Sequence, residues 1–239
     1  MKQIAPDVYQ LEGLRNSNVY ALATREGVAL IDSGTSGAVD QIVGQLEGNG
    51  FTLSDLQAIV LTHTHGDHVG SAAELARRSE SQVMAHRDEV PYIEGTQYLP
   101  ATSFFQRALI WLEKRMASRT TACRVTRVLE DGETIEELGL RVIHTPGHTP
   151  GSICLYQPER RIVFCGDLLF NGHPFTGRGG LRFSIPQFSV DVEQARESVR
   201  RLLELPTEIL CCGHGQPILE GAGDRIRELL SAQTTDTIN

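Results

Sequence analysis

Residues 58–70, AIVLTHTHGDHVG, constrain this chain more than any other stretch. An apolar run suited to a buried strand ends in a turn that packs His63, His65, Asp67 and His68 into six positions, and the pattern of a helix start follows. Imidazoles and a carboxylate buried without partners carry a large desolvation cost. They are also the donors that suit zinc, iron or manganese. A polar turn whose histidines only hydrogen-bond is the plain alternative, but a metal centre better explains so many donors at one strand end.

At 239 residues the chain is long enough for one well-buried domain, or for two intimately packed halves sharing a core. The reading adopted is a single domain over 1–239 with similar halves at about 1–122 and 123–239, although no sequence repeat links them. In the first half, NVYALA and GVALI flank a turn and predict a hairpin over 18–32. Asp32 leaves the second of these strands as either a turn or helix cap, or a carboxylate that orients a ligand histidine. Ser36 is the expected N-cap of a helix over 37–48, with Val39, Ile42, Val43 and Leu46 on its inward stripe. A strand over 58–61, a helix over 69–78 and a strand over 82–85 complete an alternation typical of α/β layers. Residues 90–119 then become densely apolar, with helical spacing from Phe104 to Ala117 and the single tryptophan, Trp111. This segment reads as a helical cap over the cleft, a plain packing helix, or a subunit interface that would allow a homodimer.

The second half returns to strands over 124–129, 134–135, 140–144, 152–156 and 162–165. The 140–144 strand runs into TPGHTPG, which carries His148, and the 162–165 strand runs into Gly166-Asp167. Residues 168–188 are rich in Gly, Pro and Phe without a period and read as a long loop. Asp191 caps a helix reaching Leu203, a strand over 208–212 delivers His214, and a helix over 223–230 precedes a frayed tail.

Seven donors therefore stand just beyond apolar strands: His63, His65, Asp67, His68, His148, Asp167 and His214. That exceeds what one tetrahedral ion can use, whereas two ions about 3.5 Å apart would use them well. His63 and His65, two apart on extended chain, can share a pocket, while Asp67 and His68 lie past the Gly66 bend and aim beside it. His148 and His214 close the two sites, and Asp167 can bridge with its two oxygens.

His63-Thr64-His65-Gly66-Asp67-His68, the later Gly147-His148, Gly166-Asp167 and Gly213-His214 resemble the metallo-β-lactamase fold superfamily, in order and over nearly the whole chain. The resemblance implies an α/β fold, a four-layer αββα sandwich with the metal site at one edge of its two sheets. It further implies His63, His65 and His148 on one ion, Asp67, His68 and His214 on the other, and Asp167 between them. Asp32, in LIDSG, resembles the family's buried aspartate behind a ligand histidine. Two divalent ions, zinc first and iron, manganese or cobalt tolerated, would supply hydroxide near neutral pH. Asp67 would orient it and shuttle its proton.

The expected enzyme is a dinuclear metal-dependent hydrolase acting on a lactone, thioester or ester with an apolar acyl part. It looks like the family's lactonases, and GDLLFNG with the later GRGG is similar to glyoxalase II. The stretch after His214 reads as too short for the helical domain that binds glutathione there, so full glyoxalase II is the disfavoured expectation. Opening of a β-lactam, sulfur dioxygenase chemistry on one iron held by His63, His148 and Asp167, and phosphodiester hydrolysis are the alternatives. A non-catalytic binding role is disfavoured because no ligand position is lost. Of the remaining candidates, His86 and His144 read as structural, His173 and Arg178 as loop residues for which contact with substrate is the lesser alternative, and Cys165 as buried packing.

The formal charge of −8 argues against nucleic acid, since no net basic field would attract a polyanion. No stretch approaches membrane-spanning length, the first residues read as neither signal peptide nor anchor, and the five cysteines form no spaced framework. A cytoplasmic location with no membrane partner is the expectation. Cys211 and Cys212, being adjacent, should face opposite sides of a strand.

Overall fold

The computed structural model describes residues 1–100, 122–173 and 179–236. One sheet has seven strands in chain order: β1 (Lys2–Ala5), β2 (Val8–Gln10), β3 (Tyr20–Ala23), β4 (Val28–Ile31), β5 (Leu56–Val60), β6 (Gln82–His86) and β7 (Arg127–Leu129). Strands β1 to β4 form an antiparallel meander, and β4 through β7 run parallel. Parallel neighbours need crossovers. These come from α1 (Val39–Glu47), and from the short turn α2 (Gly66–Val69) with α3 (Ala72–Ser79). After β6 comes α4 (Val90–Ile93). The second sheet combines β8 (Thr134–Ile135), β9 (Leu140–His144), β10 (Ile153–Gln157), β11 (Ile162–Gly166) and β14 (Ile209–Cys212) in the order β14-β11-β10-β9-β8. A small ribbon pairs β12 (Leu169–Asn171) with β13 (Leu181–Phe183), and α5 (Val192–Arg200) and α6 (Ala222–Asp236) complete the chain.

Side-chain alternation assigns the layers. Along β4, Val28 and Leu30 pack with Val39, Ile42, Val43 and Leu46 of α1, while Ala29 and Ile31 face the other sheet. Along β10, Ile153 and Leu155 meet that inner layer, and Cys154 and Tyr156 pack outward with Val199 of α5 and Ile226 of α6. Three cores separated by two sheets make the αββα sandwich. Cys211 lies in the inner core and Cys212 in the outer one, on opposite faces as adjacent strand residues must be. Fully burying one side chain such as Ile31 contributes about 1.5–3 kcal/mol, so the inner layer is the main glue between the sheets. Among the described residues no helix is long and apolar enough to cross a membrane.

Local details depart from the sequence reading where a distant partner intervenes. Helix α1 starts at Val39 rather than 37, because the Ala38 N–H donates to Ser71 Oγ at 3.2 Å and Ser36 caps nothing. The single helix expected over 69–78 is divided between α2 and α3. Part of the loop expected over 168–188 is the β12–β13 ribbon, followed by a 3-10 turn at Pro186–Phe188. The final helix continues to Asp236 instead of fraying after Leu230. Asp191 caps α5 as expected, its side chain accepting from the Gln194 N–H. The apolar segment predicted over 90–119 begins with α4, and its positions 101–119 lie outside the described residues.

The sheets meet at one edge through cross-links that place the site. The Ile153 N–H at the start of β10 donates to Thr62 O at 3.0 Å, just past β5. The Asn18 N–H donates to Gly213 O at 2.7 Å, just past β14. Strand ends of both halves thus converge on one rim, where open α/β sheets place reactive groups.

Candidate metal centre

Each donor reaches the rim for a local reason. Beyond β5 the chain stays extended to His65 (φ −63°, ψ 144°), so His63 and His65 project to one side with ring centroids 4.8 Å apart. Gly66 then opens the α2 turn, which swings Asp67 and His68 to an adjacent point. Asp167 leaves β11, His214 leaves the parallel strand β14, and His148 sits in the turn between β9 and β10. Gly213 has to be glycine: a Cβ there would lie 2.2 Å from Asp167 Oδ1 and 2.7 Å from His68 Cε1.

All seven side chains singled out in the sequence come together in two groups. His63, His65, His148 and Asp167 form one, and Asp67, His68 and His214 form the other, with the donor atoms of each group within 4.8 Å of one another. Asp167 joins them. Its Oδ2 lies 3.8 Å from His63 Nε2, 3.6 Å from His148 Nε2 and 3.1 Å from His214 Nε2, and its Oδ1 lies 3.2 Å from His68 Nε2. In the second group Asp67 Oδ2 is 3.5 Å from His214 Nε2 and 3.9 Å from His68 Nε2. Four donors around an ion with bonds near 2.0–2.1 Å stand about 3.3 Å apart, so these separations bracket that spacing.

The Nδ1 atoms of His63, His68 and His148 are held. Thr62 Oγ1 donates to the Asp32 carboxylate at 2.8 Å and so accepts from His63 Nδ1–H at 3.0 Å. His68 Nδ1–H donates to Asp32 Oδ2 at 2.7 Å, and His148 Nδ1–H to Ser189 Oγ at 3.2 Å. The bonds on His63 and His68 leave their Nε2 lone pairs facing the centre, while His148 Nε2 accepts from His65 Nδ1–H at 2.9 Å. Asp32 is therefore the carboxylate behind His68 and not a helix cap. It sits at φ 60°, a left-handed conformation that aspartate tolerates, with its carboxylate between Thr62 and His68.

Electrostatics divides the imidazoles the same way. Burial, reinforced by neighbouring imidazoles, pushes His63 and His148 well below the ordinary histidine value, and burial also lowers His65. These three rings are neutral at pH 7, the state that coordinates a metal. Burial also disfavours charge on His68 and His214, but Asp167, joined at His68 by Asp32, outweighs it and raises both. Burial alone would raise the Asp167 carboxyl; His68 and His214 hold it well below the usual range. Positive charge beside Asp167 stabilises its carboxylate, and a divalent cation held by these donors would supply it.

Three buried atoms test the fit. His63 Nε2, His68 Nε2 and Asp167 Oδ1 are inaccessible yet make no hydrogen bond, even though the last two are only 3.2 Å apart. Orphaned buried polar atoms are costly and rare. Here they converge with other lone pairs of a His/Asp set that suits divalent cations. A third group, His86, Asp88 and His144, also brings donors within 4.8 Å. Its two rings are stacked at 4.0 Å and 15°, so their lone pairs run parallel instead of converging. His144 Nε2–H donates to Pro150 O and His86 Nδ1 accepts from the Asp88 N–H, so both rings are structural. Cys165 is buried among apolar neighbours, His173 is half-buried in the loop after Asn171, and Arg178 lies outside the described residues. Thr62, Ser189 and Glu89 escaped the sequence reading, since a hydroxyl or carboxylate that supports another turn has no local spacing signature.

Comparison with known proteins places this arrangement. The family model of the metallo-beta-lactamase superfamily matches residues 13–214. The probable metallo-hydrolase YflN of Bacillus subtilis (strain 168) is 30% identical over 218 residues, covering 84% of this chain and 81% of its own. The crystal structure of the metallo-beta-lactamase family protein TTHA1429 from Thermus thermophilus superposes with a TM-score of 0.74 at 24% identity, covering 98% of this chain and 81% of that one. The crystal structure of TTHA1623 in a di-iron-bound form is 31% identical with a TM-score of 0.64, covering 88% of this chain and 93% of that one.

Proposed function

The chain belongs to the metallo-β-lactamase superfamily and is a metal-dependent hydrolase, and from that premise we propose that it holds two divalent ions and hydrolyses a carboxylic ester-type bond: a lactone, thioester or ester with an apolar acyl part. The observation that carries the two-ion reading is the set of orphaned atoms His63 Nε2, His68 Nε2 and Asp167 Oδ1 within two donor groups that share Asp167. His63, His65 and His148 would hold one ion, Asp67, His68 and His214 the other, and Asp167 both. Zinc is the first choice for this nitrogen-rich set; iron is the second, favoured by the di-iron-bound form of TTHA1623.

Bound there, two such ions supply an activated water at neutral pH and Lewis acidity for a carbonyl oxygen. The chain supplies the rest. Asp67 is 28% exposed against 5% for Asp167, so it is the carboxylate of the centre that reaches water. With Oδ2 turned to His68 and His214, Asp67 can take a proton at Oδ1 and return it to the leaving oxygen or sulfur. Asp32, Thr62 and Ser189 fix the rings, so little reorganisation is needed during reaction.

The support for an apolar acyl group is the density of aromatic and aliphatic residues over 90–119. The test is hydrolysis by purified protein of a panel of lactones, thioesters, aryl esters, β-lactams and phosphodiesters, each in short- and long-chain forms where these exist. Turnover of long-chain lactones, thioesters or esters is expected. Preference for β-lactams or phosphodiesters would overturn the substrate assignment while leaving the metal centre standing.

A further inference from the structure

The first donor group draws on two turns from different sheets, the His63–His65 turn after β5 and the His148 turn between β9 and β10. Something must set their separation, because the three nitrogens converge only if both turns are in register. Glu89 is fully buried at the end of the 3-10 turn Arg87–Glu89 after β6, the strand next to β5, and holds the second of these turns. Its Oε1 accepts the Gly151 N–H at 2.8 Å and the Thr149 hydroxyl. The Thr64 backbone amide is near enough to draw the carboxyl's pKa down, but Oε2 itself is buried without a hydrogen bond. Thr64 sits between His63 and His65, and Thr149 directly follows His148.

The contact is too close for any other arrangement. A Cβ on Gly151 would lie 2.5 Å from Glu89 N and 2.9 Å from Glu89 Cγ, so only glycine lets this turn seat on the carboxylate. Thr149 is in turn braced by Ser152, whose Oγ accepts the Thr149 N–H at 3.0 Å and lies 2.6 Å from the Thr149 hydroxyl. The same 86–89 segment stacks His86 on His144, whose Nε2–H holds Pro150 O at 3.0 Å. Retaining a buried carboxyl here is unfavourable in itself: burial pushes Glu89 up to about 7 although Thr149, Gly151 and Thr64 pull it down. Apolar packing at this position would avoid that penalty but could not accept the Gly151 N–H and the Thr149 hydroxyl.

We propose that Glu89 is a positioning residue that fastens the His148 turn to the end of β6, beside the strand β5 that carries His63 and His65, and thereby sets the geometry of the first donor group. The proposal rests on the two-ion reading above. It predicts a selective effect, because Asp67, His68 and His214 reach the rim without touching this clamp.

The test uses the full chain as Glu89→Gln, Glu89→Ala, Thr149→Val and Thr149→Ser. Each is stripped of metal and titrated with zinc against a chromophoric chelator, and with cobalt(II) followed by its visible spectrum. His65→Ala and His214→Ala give the reference signatures of a broken first and a broken second group. Glu89→Ala removes the acceptor of both donors, Glu89→Gln keeps an amide oxygen that can take the place of Oε1, and Thr149→Val keeps shape without the hydroxyl. Glu89→Ala and Thr149→Val are expected to weaken one of the two ions by about 10- to 100-fold with the His65→Ala signature, and Glu89→Gln to bind more nearly as wild type does. Thr149→Ser, which keeps the hydroxyl, is expected to bind as wild type does. Should Glu89→Ala fail to fold, the Thr149 pair decides. Wild-type affinity for both ions in Glu89→Ala and Thr149→Val, or equal weakening of both, would overturn the clamp. A wild-type chain that takes up no zinc or cobalt would instead sink the metal centre, and the clamp with it.

Discussion

Asp32→Asn is the substitution whose consequence the geometry dictates most closely. The native carboxylate, 2% exposed, accepts the Thr62 N–H at 2.8 Å on Oδ1, the Thr62 hydroxyl at 2.8 Å on Oδ2, and His68 Nδ1–H at 2.7 Å on Oδ2. An asparagine of the same shape has one acceptor oxygen. If its oxygen faces the Thr62 amide, its NH₂ faces His68 Nδ1–H; if it flips, the NH₂ faces the Thr62 N–H. Either way a buried donor loses its acceptor, at about 1–3 kcal/mol, and the charge assistance to His68 disappears. His68 can relieve the first case only by moving its proton from Nδ1 to Nε2, the nitrogen that faces Asp67 and Asp167. Affinity for the ion held there should then fall by about 10- to 100-fold. The assay is urea unfolding with chelator present, for the apo-protein loss, beside competitive zinc titration for the affinity. An Asp32→Asn protein matching wild type in both would refute the assignment and reduce Asp32 to a turn residue.

Other perturbations give separable results. Asp67→Asn should leave folded yield unchanged and lower turnover of whichever panel substrate is cleaved by about 10²- to 10⁴-fold; undiminished turnover would remove Asp67 from proton transfer. Gly213→Ala drives a methyl against Asp167 and His68 and should destabilise the apo-protein by about 1–3 kcal/mol in thermal unfolding, whereas an unchanged melt would mean that the turn yields freely. Glu89 makes stability depend on pH with a definite sign. Its unfolded carboxyl ionises near 4.5 while the folded one keeps its proton to about 7, so its contribution is intact below 4.5 and is lost as pH rises through 7. Metal-free wild type should therefore lose about 3 kcal/mol relative to Glu89→Gln across that window, and parallel stability curves for the two would contradict the buried-carboxylate picture.

What the sequence revealed and what it hid divide along the distance over which a cause acts. His63, His65, Asp67 and His68 were legible because four donors in one turn are a local pattern, and the layers because Val28 to Ile31 must alternate once they form a strand. Asp32 was half-legible: its place after an apolar strand was visible, but its choice of His68 over a cap depends on β4 pairing with β5. Glu89 was hidden because its partners, Thr149 and Gly151, lie some 60 residues away and meet it only when the two sheets pack. Ser189 was hidden likewise, resting under His148 from a different part of the chain. Ser36 misled for the converse reason. It is a sound local cap for α1, yet Ser71 supplies the acceptor from the neighbouring crossover. The β12–β13 ribbon was obscured by glycines and a proline that look like loop when read singly, although Leu169 to Asn171 pairs with Leu181 to Phe183.

Anomalous diffraction from crystals of the zinc-loaded chain, collected on either side of the zinc absorption edge, tests the two-ion centre most directly. The account predicts two peaks flanking the Asp167 carboxylate, one enclosed by His63, His65 and His148 and the other by Asp67, His68 and His214. A single peak, or metal held away from Asp167 while these seven side chains stay together, would contradict it.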